Sequence, residues 1–207
     1  MANSTFSGPV RSKGGFTSIS ENSSTGAIST LSSISATGVA SFDANTLATE
    51  AGTGITTGSG TIYRSSVQRV GGIITTRILI DLTGLRSTGS GDIIGVDGTA
   101  LVCHIGQITA AQNGTILTGS MECFEAPAGG DPDINIHSAT EGTGVEDGAI
   151  ADLTETLLVN AGDATLGSKV FFSAVPAADE FLYLTTGAAT ENDYTAGKLF
   201  IEMMGYA

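Results

Sequence analysis

From Thr61 to Leu82 the chain reads TIYRSSVQRV-GG-IITTRILIDL, two β-prone runs on either side of a glycine pair. Apolar and polar residues alternate along both runs, a period of two that suits a strand with one buried face and does not suit a helix. Gly71-Gly72 is a two-residue link able to take positive φ, as tight hairpin turns require. In that register Tyr63 faces Ile80, Ser65 faces Ile78 and Val67 faces Thr76. Ile74, Ile78, Ile80 and Leu82 then share a buried face with Tyr63 and Val67, while Arg64, Gln68, Arg77 and Asp81 share the other.

The same period recurs downstream. ALVCHIGQITAAQNGTILTGSMECFEA predicts a second hairpin turning at Asn113-Gly114. A two-residue turn there pairs Cys103 with Phe124 and His104 with Cys123. A three-residue loop pairs Cys103 with Cys123 and His104 with Glu122, which makes the better chemical partners. INIHSAT is a short strand, and ADLTETLLV fits a two-turn helix slightly better than a strand because Leu153, Leu157 and Leu158 share a helical face. KVFFSAV, EFLYLTT and KLFIEMM are strands apolar on both faces, as expected between two layers or against a neighbouring subunit. Short strands with Gly-rich turns point to an all-β fold, an antiparallel β-sandwich or jelly-roll-like barrel. Gly makes up 29 of the 207 residues, about twice the usual ~7 %.

The first 58 residues differ from the rest. VRSKGGFTSISENSSTGAISTLSSISATGVASFDANTLATEAGTG is dominated by Ser, Thr, Gly and Ala, 29 of its 45 residues, and is too poor in apolar surface to offset the entropy of ordering on its own. The expected organisation is an extended N-terminal arm over 1–58 and a β-domain over 59–207.

Charge is unevenly spread. No Lys or Arg occurs between Arg86 and Lys169, whereas twelve acidic residues do, and the whole chain carries −13. Phosphates repel such a chain, so no nucleic-acid partner is expected. No apolar run is long enough for a membrane-spanning helix, and MANSTFSGPV lacks a secretory pattern.

Chemistry finds little footing. Cys103, His104, Cys123 and His137 could be weighed as zinc ligands, yet neighbours on a strand point to opposite faces, so Cys103 and His104 cannot share an ion. Two reduced core thiols are the simpler reading. No nucleophile elbow, dinucleotide fingerprint or phosphate loop is present, so no catalysis and no cofactor are expected. GGDPDIN and EGTGVEDG could offer Asp131, Asp133, Glu146 and Asp147 to Ca²⁺, although turn-forming Asp explains both stretches without a cation.

FSGPVRSKGGF near the N-terminus and TTGAATENDYTAGKLFIEMMGYA at the C-terminus resemble small virion structural proteins of tailed bacteriophages, those of short-tailed marine phages above all. Size, acidity and a single β-domain make the likeness greatest to head decoration (cement) proteins. That resemblance implies a trimer on the outside of the capsid, bracing the major capsid protein, assembled in the host cytoplasm. The arm would then order along neighbouring subunits, with Phe6, Val10, Phe16, Ile19 and Phe42 as apolar anchors and Arg11 and Lys13 as charged ones. Phe200, Ile201, Met203 and Tyr206 complete the expected interface. The alternatives are a tail or fibre-associated virion protein, and a carbohydrate-binding module, which the lack of Trp disfavours.

Overall fold

The Thr61–Leu82 hairpin forms in the expected register. In the computed structural model, which describes residues 16–21, 28–34, 40–42, 49–98 and 100–207, Tyr63 lies opposite Ile80, Ser65 opposite Ile78 and Val67 opposite Thr76. Ile74, Ile78, Ile80 and Leu82 are fully buried. Asp81 keeps to the face it shares with Arg77, yet it is buried there beneath its own partners. Its Oδ1 accepts from the Thr83 hydroxyl (2.7 Å) and N–H (3.1 Å), and Lys198 Nζ lies 3.3 Å from Oδ2. Burial pushes the Asp81 carboxyl up, but these donors outweigh it and hold the group below its ordinary value.

The chain divides into two compact units, Met1–Thr46 and Leu47–Ala207. In the first, β1 (Phe16–Glu21), β2 (Ile28–Ile34) and β3 (Ala40–Phe42) form an antiparallel sheet in the order β1-β2-β3. Within the expected arm, Phe16–Glu21, Ile28–Ile34 and Ala40–Phe42 thus pair as a sheet instead of running as a single extended chain. FTSISE and ISTLSSI are rich in Ile, Thr and Ser, β-prone runs that pair with Phe16 opposite Ile34 and Glu21 opposite Ile28.

The second unit starts before residue 58. A helical turn, α1 (Thr53–Thr56), buries Ile55 completely in the sandwich core. Then follow β4 (Ile62–Val70), β5 (Ile73–Asp81), β6 (Arg86–Ser87), β7 (Gly106–Gln107), α2 (Ala110–Asn113) and β8 (Thr115–Ala128). The last third holds β9 (Ile134–Ala139), β10 (Glu155–Val159), β11 (Lys169–Phe171), β12 (Phe181–Thr186), β13 (Asn192–Asp193) and β14 (Ala196–Tyr206). Two antiparallel sheets, β11-β8-β14-β5-β4 and β10-β9-β12-β7, pack together as a β-sandwich.

The second expected hairpin does not exist. β7 belongs to the four-stranded sheet and β8 to the five-stranded one, with α2 turning the corner between them. Thr109 caps α2 by accepting from Gln112 N–H, and Gly114 leaves it at φ 69°. A methyl group on Gly114 would fall 2.4 Å from the Tyr206 carbonyl oxygen, so the corner requires glycine. Asn113 anchors this corner: its side chain accepts from Thr109 N–H (2.9 Å) and donates to Thr76 Oγ1 (2.8 Å). ADLTETLLV likewise becomes a 3₁₀ turn, Ile150–Asp152, followed by β10 rather than a helix. Pairing with β9 buries Leu158 and Val159, which a two-turn helix without a capping side chain does not match.

β14 is central, paired with β8 on one side and β5 on the other. Leu199, Ile201 and Met203 are fully buried, and each such side chain contributes about 1.5–3 kcal/mol of apolar burial. Ile201→Ala is expected to cost about 2–5 kcal/mol, measured as a lower midpoint in denaturant unfolding.

Candidate functional site

The outer face of the five-stranded sheet brings cations, acids and aromatic side chains together. Because Leu199, Ile201 and Met203 point into the core, Lys198, Phe200, Glu202 and Met204 point away from it. Register extends this face across the sheet: Lys198 lies beside Asp81 and Glu125, Phe200 beside Leu79 and Glu122, Glu202 beside Arg77 and Ser120. Arg77 Nε pairs with Glu202 at 2.7 Å, Lys169 with Glu122 at 3.4 Å, and Lys198 also with Glu125. Phe124 stacks on Phe200 with 5.1 Å between ring centroids.

Of the expected interface residues, Phe200 and Tyr206 reach this face, whereas Ile201 and Met203 are buried in the core. The KLFIEMM run is apolar on both sides, so composition alone did not separate them. Phe16 and Ile19 are exposed on β1. Phe6, Val10, Arg11 and Lys13 lie outside the described residues, as does the side chain of Phe42. Phe124 and Phe171 were missed. The adjacent pair Phe171-Phe172 held a signal, since on a strand one of two neighbours must turn outward. Phe172 lies over Gly119, where a methyl group would come within 2.7 Å of its ring, and Phe171 faces solvent.

The acidic candidates fall in two places. Asp131 is buried, and both carboxylate oxygens already accept backbone N–H groups, Oδ1 from Asp133 and Oδ2 from Thr190, each at 2.9 Å. Its own N–H donates to Ser87 Oγ and its carbonyl accepts from the Tyr194 hydroxyl at 2.7 Å. This residue clamps three segments together. Burial, then the Asp131 and Asp163 charges, push the Asp133 carboxyl up. Glu146 is raised too, by burial and the nearby Asp147 and Asp97, and Asp147 sits at φ 61°. Among the described residues no three His, Cys, Asp or Glu side chains gather in a metal-holding group.

Cys103 and Cys123 do not pair. Cys123 lies opposite Leu199 on β14, while Cys103 sits in a loop against Gly54 and Gly95, where a methyl group would approach its sulfur to 2.4 and 2.3 Å. Both are free, buried thiols. Burial pushes Cys103 up to about 12 and raises Cys123. His104 packs near Phe181, 5.0 Å between centroids, and not against Glu122. Burial lowers its pKa. His137 Nδ1 instead lies 2.7 Å from Glu155 Oε2 across the β9–β10 pair.

A depression of about 370 Å³ beside α2 is lined by Ala110, Ile116, Val175 and Pro176 among others, none of them titratable. No helix among the described residues is long and apolar enough to cross a membrane. No protein-family model, curated protein or solved structure matches this chain.

Two expectations follow. Both thiols should label slowly in the native protein at mildly alkaline pH and rapidly once it is unfolded; fast native labelling would place a sulfur at the surface. Because the folded-state pKa of Asp133 is raised, ionising it costs stability, a cost absent below its unfolded value and complete above its folded value. Asp133→Asn should therefore raise Tm at neutral pH, and the gain should disappear in strong acid, as calorimetry across pH would record.

Proposed function

We propose that this chain is a structural virion protein that decorates the outside of a bacteriophage capsid and braces neighbouring major capsid subunits, with no catalytic role. The observation that carries the reading is the division of the chain into two dissimilar units. A small β-unit, Met1–Thr46, has balanced charge and exposes Phe16 and Ile19; an acidic β-sandwich follows it. A neutral unit built from small residues suits attachment, since it can lie close to another backbone without charge repulsion. The acidic body suits the outer position, where net charge keeps particles apart in solution. The likeness of the terminal stretches to small phage virion proteins supports the same assignment.

The test is stoichiometry. Purified protein is added to expanded capsid shells that lack it, the shells are sedimented, and bound protein is quantified. Saturation at a number comparable with the shell subunits is expected, and removal of residues 1–15 should weaken binding at least ten-fold while leaving the sandwich's melting unchanged. A handful of copies per particle would instead favour a tail or fibre-base position, and no binding would overturn the virion reading.

A further inference from the structure

We propose that the outer face of the five-stranded sheet is where two copies of this chain associate, face to face about a two-fold axis. Charge comes first. The Leu47–Ala207 unit holds six basic and nineteen acidic side chains and so carries the whole −13. Four of those six cations, Arg64, Arg77, Lys169 and Lys198, lie on this one face, with four acids, Asp81, Glu122, Glu125 and Glu202. The face is neutral, and the rest of the unit holds two cations against fifteen acids. Two such bodies repel less through this face than through the acid-rich remainder of their surfaces.

Self-complementarity comes second. The charged rows of the face mix signs: Lys198 lies between Asp81 and Glu125, Arg77 beside Glu202, Lys169 beside Glu122. A two-fold rotation can therefore set cations of one copy over acids of the other, the pattern that an isologous contact requires. A uniformly basic or acidic partner would find half of the face repulsive.

Apolar surface and size come third. Phe171 is 68 % exposed, Tyr206 58 %, Phe124 47 % and Met204 42 %, an unusual number of large apolar side chains for the solvated side of a sheet. Five strands about 4.8 Å apart, from three to fourteen residues long and averaging about nine at about 3.4 Å each, span roughly 700 Å², close to the ~800 Å² per partner of a standard specific interface. The inference does not depend on the virion reading, since it concerns only what copies of the chain do to one another.

The test is the mass of the full-length protein in solution, by sedimentation equilibrium across the micromolar range. A monomer–dimer equilibrium is expected. Phe171→Asp and Met204→Asp, both at exposed positions, should each weaken it at least ten-fold with unchanged melting, while Leu157→Asp, at an exposed position on the other sheet, should leave it intact. A wild-type protein that stays monomeric would overturn the proposal. So would a dimer that Leu157→Asp dissociates and the two outer-face variants do not. Shell binding can fail or succeed with either result.

Discussion

β14 sits between β8 and β5, and its alternation orients both sides of the sandwich. Turning Leu199, Ile201 and Met203 inward leaves Lys198, Phe200, Glu202 and Met204 outward, with no freedom to slip. A shift of one residue would place lysine and glutamate in the core and methionine and isoleucine in water. The pairings to β8 and β5 pass that choice to the neighbouring strands, so Arg77 meets Glu202 and Asp81 meets Lys198. The packed core and the mixed outer face are consequences of one register.

Polar groups hold the irregular parts where the ladders stop. Asp131 uses every hydrogen-bonding group it has on backbone or side-chain partners, tying the start of β9 to Ser87 and to the Thr190–Tyr194 segment. Buried carboxylates are costly unless satisfied in this way. Arg86 does similar work at the surface, pairing with Glu191 at 2.8 Å and Asp193 at 3.1 Å beside the β6–β13 ribbon. Exposed pairs of this kind add little stability each, and their effect is to choose one loop arrangement over others.

The distribution of charge separates two roles for one surface. Most of the acidic groups lie away from the five-stranded sheet, where like charges repel. The neutral face exposes Phe171, Tyr206 and Phe124, so contact there would bury aromatic surface with little net repulsion. Attachment through the neutral Met1–Thr46 unit and pairing through this face would use different parts of the chain.

Residues 61–82 were legible from sequence because the hairpin is local: the glycine pair sets the turn, and a period of two sets the faces. The all-β class was legible for the same reason. Residues 100–126 misled because Asn113-Gly114 carries the chemistry of a hairpin turn, yet here Asn113 ends a helical turn and reaches Thr76, thirty-seven positions earlier in the chain. Which sheet a strand joins depends on such long-range contacts. The same holds for ADLTETLLV, where pairing with β9 outweighed a weak helical periodicity. Sequence by itself determined the strands' alternation, the acidic balance of the chain and the contrast between the first residues and the rest. Only the tertiary structure decided that Asp131 is a clamp, that Cys103 and Cys123 lie apart, and that Phe171 faces water while Phe172 packs over Gly119. Those outcomes depend on partners far away along the chain, and no local pattern encodes them.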